Sequence, residues 1–203
     1  MKKLTFLFFL LLLMSCSNDD SSPIDALPSA TQIGANTFGC LINGKALLPR
    51  SGNNNLFNPL SGVDLFRGYP EDNFDYYELE VTDYLSSPTS RLFFHMHNAP
   101  ENGTGNFIID ESNGFGDIDG FEHNYIHCRL FSKATNSFQT YVSYNNSGSF
   151  TITKLTLSTG SGTILSGTFN CKLRNIENPN DEVEITDGRF DINSLTIATT
   201  YFP

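Results

Sequence analysis

The chain has 203 residues, and its 22 acidic residues outnumber its 12 Lys and Arg residues, which gives a formal net charge of -10. Proteins that bind nucleic acid need clustered Lys and Arg to neutralise phosphates, so this composition speaks against DNA or RNA as a partner. The length is sufficient for one domain of ordinary size with a hydrophobic core of its own.

The first residues have the pattern of an export signal. Two lysines at positions 2 and 3 precede an apolar run over residues 4–14, which is too short to span a bilayer as a mature helix. The run ends in the letters LMSC at residues 13–16, which resemble the lipobox of bacterial lipoproteins. This resemblance implies a lipoprotein signal peptide over residues 1–15, cleavage before Cys16, and attachment of diacylglycerol and of a fatty acyl group such as palmitate at Cys16. An ordinary signal peptide with an unrelated cysteine is the alternative.

A lipid at Cys16 would hold the mature chain on a membrane. Each buried methylene of an acyl chain contributes about 0.8 kcal/mol, so two or three chains give nearly permanent attachment. Anionic headgroups would repel the protein surface, because removal of the two leader lysines takes the formal charge from -10 to -12. The letters SNDD at residues 17–20 resemble the acidic export signal of Bacteroidota-type surface lipoproteins. The alternative is an acidic linker with no role in export. We therefore expect an anchor in the outer membrane of the cell envelope, with either periplasmic or surface-exposed display.

Residues 16–36 are polar and contain two prolines, which predicts a lipidated flexible tether before a single all-β domain over residues 37–203. The domain opens with two short apolar segments around Asn43-Gly44. Because Asn-Gly tolerates positive φ at both turn positions, a tight type I′ hairpin is expected there.

Residues 51–75 form the longest stretch of the domain without a clear period, and they are rich in Asn and Gly. Loops of this length are either functional or disordered. The aromatic residues in this stretch suggest that it packs against the rest of the domain.

From residue 76 onward, apolar and polar residues alternate in most segments. A period of two is typical of antiparallel strands with one face on the core, and no segment has the apolar spacing of an amphipathic helix. We therefore predict an all-β fold, either an antiparallel β-sandwich or a partly closed β-barrel of about ten strands. A turn between two of these strands is expected over residues 145–148.

Two parts of the domain resemble a known family. The letters ATQIGANTFGCLINGK at residues 30–45, SGTF at residues 166–169 and EITDGRFDI at residues 184–192 resemble a family of small Bacteroidota lipoproteins built on a domain of unknown function. The resemblance implies an exported all-β lipoprotein, and it brings no catalytic or binding residues.

A repeated glycine-aromatic element occurs in the same C-terminal part. Gly167 precedes Phe169 and Gly188 precedes Phe190, with one residue between them in each case. Glycine in a strand often marks a close approach of the backbone, so a neighbouring ring is expected to cover each glycine.

Three cysteines remain after Cys16, namely Cys40, Cys128 and Cys171. The exported compartment permits disulfides, and an odd count allows at most one bridge. Alternation places each of the three beside apolar residues, so they are expected to be buried, with one disulfide possible and its pairing open.

Two patterns could hold a metal ion. His95 and His97 lie on one predicted strand with their rings on the same face, so they could bind one zinc ion with a third ligand from elsewhere. Asp117 and Asp119 lie on a Gly-rich loop whose carboxylates would suit calcium, although the spacing departs from the EF-hand loop. The alternatives are histidines that face water and a solvated acidic loop, in which case the protein holds no cofactor.

The sequence offers no catalytic residues by motif. It has no G-x-S-x-G, H-E-x-x-H, Walker or G-x-G-x-x-G pattern. Glu78 and Glu80 share one face of a strand, where they are expected to meet water. The absence of Trp weakens a carbohydrate-binding interpretation, although Tyr76, Tyr84 and Tyr141 are predicted to be exposed.

We therefore expect a non-enzymatic binding or scaffolding lipoprotein of the cell envelope, with a protein or a glycan as its partner. The alternative is a hydrolase that acts on envelope or other polymers. Its site would lie near the loop over residues 51–75 and near His95 and His97.

Overall fold

The computed structural model describes residues 22–53, 60–68, 75–157 and 162–203. The predicted signal peptide, Cys16 and two parts of the loop over residues 51–75 lie outside the described residues. Within the described residues, no helix has the length and apolar character needed to cross a membrane.

The described chain is built from strands, with only one short α-helix, α1 (Ala99–Asn102), and three 3-10 turns, Pro23–Ala26, Asp117–Asp119 and Ile197–Thr199. Alternating β-branched, aromatic and polar residues favour strands in these segments. The strands are β1 (Thr37–Ile42), β2 (Lys45–Leu47), β3 (Val63–Arg67), β4 (Tyr76–Asp83), β5 (Ser90–His97), β6 (Gly105–Ile109), β7 (Tyr125–Ser132), β8 (Ser137–Val142), β9 (Gly148–Thr156), β10 (Ile164–Asn175) and β11 (Glu182–Asn193).

The strands form one curled antiparallel sheet, a half-barrel, in the order β2-β1-β11-β10-β8-β7-β5-β4-β3. The order branches at β10, where β9 pairs with β10 and β6 pairs with β9. Curling brings opposite parts of the inner face together, because the Phe94 ring on β5 lies 5.0 Å from Phe150 and 5.3 Å from Phe169. The all-β prediction is confirmed, and of its two forms the structure is the partly closed barrel.

The hairpin at the start of the domain is confirmed. Asn43 and Gly44 both have positive φ, 48° and 72°, and they join β1 to its antiparallel partner β2. A turn also forms at residues 145–146 as predicted, but the strands on either side of it do not pair with each other. The stretch over residues 51–75 is not only a loop, because it contains β3 as an edge strand paired with β4.

The two glycine-aromatic elements cover each other. Phe169 on β10 lies opposite Gly188 on β11, and Gly167 lies opposite Phe190. A Cβ atom built on either glycine would come within 2.5 Å of the facing ring. This close approach of ring to backbone explains why glycine occupies both positions.

The prediction of a flexible tether up to residue 36 is wrong for residues 27–36. Leu27 is buried, and the backbone after it is bound by the carboxylate of Asp191 on β11. The composition of this segment did not indicate the contact, because Asp191 lies more than 150 residues away in the sequence. The donors to Asp191 are the hydroxyls of Thr31 and Ser166 and the backbone N–H groups of Ile33, Gly34 and Ala35.

Cys40, Cys128 and Cys171 are buried in the core as expected, and all three are free thiols. The structure therefore contains no bridge among these three residues. Burial raises the pKa of each thiol, and that of Cys171 reaches about 12, so the reactive thiolate form is suppressed.

Candidate functional site

The outer face of β4, β5 and β7 is covered by the chain that joins β6 to β7. This segment, residues 110–124, is called the strap below. The backbone N–H of Asp117 donates to Oε1 of Glu78 at 2.7 Å, and Ser112 Oγ lies 3.2 Å from Nδ1 of His127. The expectation that this polar face meets water is therefore wrong, because the strap lies over it.

Glu78 and His95 form a buried pair at the centre of the covered face. Antiparallel register places Glu78 on β4 opposite His95 on β5, and Oε1 lies 2.8 Å from Nδ1. The two residues are 4% and 2% exposed. Because the carboxylate oxygen accepts, Nδ1 carries the hydrogen, and in a neutral imidazole this leaves Nε2 as a hydrogen-bond acceptor.

Two buried polar atoms beneath the strap have no hydrogen-bond partner among the described residues. They are Nε2 of His95 and the hydroxyl of Tyr125. The two rings stack with centroids 4.6 Å apart and an interplanar angle of 2°, as expected for opposed residues of β5 and β7. Unsatisfied buried polar atoms are costly, so their presence together points to a role other than folding.

Tyrosine hydroxyls border the buried pair and remain protonated. Burial raises the pKa of Tyr76, and so do its hydrogen bond to Asp117 and the nearby charge of Glu78. Burial and the Glu78 charge likewise raise the pKa of Tyr125. The Tyr76 hydroxyl donates to the Asp117 carboxylate, which ties the strap to β4.

Two hollows meet at the Tyr76–Asp117 contact, since both residues line each of them. One is an open cleft of about 430 Å³ whose lining includes Phe66, Arg67, Glu78 and Phe93. The other is a small cavity of about 50 Å³ whose lining includes His95, His97, Phe121 and Glu122.

The predicted metal ligands lie in or near this site without forming a ligand set. The rings of His95 and His97 do share one face, with centroids 6.3 Å apart, but His95 is bound by Glu78. Asp117 is bound by Tyr76, and the carboxylate of Asp119 is exposed. In the ranges that the structure describes, no group of three or more His, Cys, Asp or Glu side chains is arranged to hold a metal ion. The zinc and calcium sites therefore stay predictions.

Neighbouring histidines are held towards the neutral form. Burial lowers the pKa of His97, and the nearby His95 lowers it further. Burial lowers the pKa of His127 to about 4, with a smaller contribution from Arg91, and its ring stacks on Phe93 at 4.7 Å.

Several site residues were missed or misjudged from the sequence. Tyr76 and Tyr141 were predicted to be exposed, and both are buried; Tyr141 donates to Asp181 at 2.8 Å. The Glu78–His95 pair could have been found, because a hairpin turning at residues 84–89 places these two positions opposite each other. No pattern in the sequence indicated that the strap would cover this face.

A second cleft, of about 530 Å³, lies between the segment after Leu27 and the C-terminus. Its lining is mostly apolar, and its ion pair, Arg50 with Asp83, is already closed by two contacts of 2.7 Å. It therefore offers less chemistry than the strap-covered site.

Comparisons of the chain with protein-family models, curated proteins and solved structures found no match. What the strap-covered site does is therefore inferred from its geometry.

Proposed function

We propose that the protein is an exported lipoprotein of the cell envelope, anchored in the outer membrane through an acylated Cys16. Its β-domain stands in water and binds a ligand without transforming it. The signal-peptide pattern and lipobox at residues 1–16 support the anchor. The acidic charge supports a partner other than nucleic acid, and a protein or a glycan of the envelope fits this setting.

The observation that supports binding is the unpartnered Nε2 of His95, whose hydrogen-bond partner Glu78 lines an open cleft together with aromatic rings. Ligand sites are concave and largely apolar, with a few placed polar groups that fix orientation. Phe66, Tyr76 and Phe93 supply rings, and Arg67 and Asp117 supply charges of both signs. Phe66 is 50% exposed, so its ring is accessible to a ligand.

The anchor is tested by Cys16→Ser in the native host, with Ser17→Ala as the matched control. We expect the control and the natural protein to fractionate with the outer membrane and to incorporate labelled palmitate. The Cys16→Ser variant should lose both properties. Retention of that variant in the membrane fraction, together with no acyl mass on the natural protein, would refute the anchor.

Binding is tested by following the ring signals of the four histidines by NMR while envelope peptides and glycans are added. A ligand of the strap-covered site should shift the signals of His95 and His97. Ligands that bind but leave these signals in place would show that the site lies elsewhere on the domain.

A hydrolase is the second candidate, and the Glu78–His95 pair favours it. A carboxylate that holds Nδ1–H leaves Nε2 able to take a proton from water, which is how histidine acts as a general base. Product release from envelope polymers or model esters that disappears in His95→Gln, while ligand binding persists, would favour the enzyme over the binding protein.

A further inference from the structure

The small cavity beneath the strap is acidic and aromatic. Its lining contains the carboxylates of Asp117 and Glu122 and the rings of Tyr76 and Phe121, and no Lys or Arg residue is among its described lining residues. The electrostatic potential inside it therefore favours a positive group.

Three hydrogen-bond acceptors belong to residues that line this cavity. Nε2 of His95 is buried and without a partner, as described above. Asp117 accepts the Tyr76 hydroxyl through Oδ1, which leaves Oδ2 available. The carboxylate of Glu122 accepts no hydrogen bond from the described residues, and its charge acts on the neighbouring His97.

We propose that this cavity binds the ammonium group of an organic amine, an inference that rests on the binding function proposed above. A primary ammonium has three N–H donors, which match the acceptors on His95, Asp117 and Glu122. The faces of Tyr76 and Phe121 add cation–π attraction.

The size of the cavity fits such a group. A volume of about 50 Å³ holds a head group the size of a few water molecules and no more. The rest of the amine extends towards solvent past Ile118, which is 66% exposed on the outer side of the strap.

A bare metal ion fits less well than an ammonium group. Zinc and calcium need several ligands at about 2.0–2.6 Å from one point. No group of three or more such side chains is so arranged in the described part of the chain.

The test titrates n-butylamine into the full chain at pH 7, with 1-butanol as the neutral analogue and zinc and calcium as competing cations. Calorimetry measures the affinity, and the NMR signals of the histidine rings show where the amine binds. We expect butylammonium to bind and to shift the signals of His95 and His97, and butanol to bind at least tenfold more weakly. Equal binding of butanol, or displacement of the amine by either metal ion, would overturn the inference.

Three variants of the strap locate the group. Loss of one charged hydrogen bond costs about tenfold or more in affinity, so Glu122→Gln and Asp117→Asn should each weaken butylammonium binding by at least that factor. Asp119→Asn is the matched control, because Asp119 lies on the same 3-10 turn but does not line the cavity. The affinity of this variant for butylammonium should stay within about twofold of that of the natural protein. Glu122 is exposed, so its substitution tests the inference even where Asp117→Asn disturbs folding.

The two proposals fail in different ways. If butylammonium does not bind but another ligand moves the His95 signal, the amine inference falls and the binding function stands. If no added peptide, glycan or amine moves that signal, the proposed function falls with it.

Discussion

One oxygen of Glu78 joins the sheet to the strap, because Oε1 accepts from His95 Nδ1 at 2.8 Å and from the backbone N–H of Asp117 at 2.7 Å. The register of β4 and β5 sets the first contact, and the fold of residues 110–124 sets the second. Loss of this oxygen should therefore weaken both the pair and the cover of the site.

Glu78→Gln is expected to destabilise the protein by about 2 kcal/mol, since the two hydrogen bonds that the buried carboxylate accepts, from His95 and from the backbone of Asp117, would become weaker bonds to a neutral amide. The matched control is Glu80→Gln, two residues along the same face of β4. Glu80 pairs with Arg91, which is largely exposed, so its substitution should cost about 1 kcal/mol or less. Urea unfolding at pH 7 measures both. Equal losses for the two variants would show that Glu78 does not hold the strap.

Tyr125→Phe is expected to leave stability unchanged or to raise it slightly, because the hydroxyl it removes is buried without a partner among the described residues. Gly120→Ala should be destabilising by about 1–3 kcal/mol, because a Cβ at this position would overlap that hydroxyl. Combining the two substitutions should recover part of the loss. Thermal unfolding of the four proteins gives the coupling, and strict additivity would mean that Gly120 is not confined by Tyr125.

Much of the fold follows from local patterns, and the covered site does not. The period of two around Leu79, Phe94 and Cys128 predicts which side chains enter the core, and all three are buried. The same period places His95 and His97 on one face, as the structure has them. Whether that face meets water depends on where residues 110–124 fold, which is a tertiary contact with no local signature. This explains why the pattern misassigned Glu78 and Tyr76 to the solvent.

His127 should make the protein less stable as the pH falls from about 6.5 to about 4. Burial lowers the pKa of this histidine to about 4 in the folded chain, against about 6.5 in the unfolded chain, so the unfolded state binds the proton first. The stabilisation is complete above pH 6.5 and is lost as the pH falls through 4, by about 3 kcal/mol in all. Urea unfolding at pH 7 and pH 4.5 measures the effect. The free energy of unfolding should fall less between these two pH values in His127→Gln than in the natural protein. An unchanged slope in the variant would exclude His127 as its source.

Asp191 should control stability in a lower pH range. Burial alone would raise the pKa of its carboxyl, but the hydrogen bonds from Thr31, Ser166 and the backbone of residues 34–35 outweigh burial and hold the pKa below its usual value. The stabilisation is therefore present above about pH 4, the unfolded value, and is lost as the pH falls through the lower folded value. In Asp191→Asn, an amide NH₂ replaces an acceptor oxygen and faces N–H or O–H donors, so stability at pH 7 should drop by about 2–4 kcal/mol. The free energy of unfolding of this variant should also depend much less on pH below pH 4 than that of the natural protein.

The matched control for this last prediction is Asp187→Asn on the same strand. The Asp187 side chain is 38% exposed and lies 4.0 Å from Arg189, and its φ of 54° suits Asn as well as Asp. Its substitution should change stability by less than about 1 kcal/mol.

Limited proteolysis adds a second measurement, because the segment over residues 27–36 is bound to the domain through Asp191. Cleavage in that segment should be faster in Asp191→Asn than in Asp187→Asn when the temperature of each digestion is set so that the two variants have the same free energy of unfolding. Equal cleavage rates would mean that the segment is held by its apolar contacts around Leu27 rather than by the carboxylate.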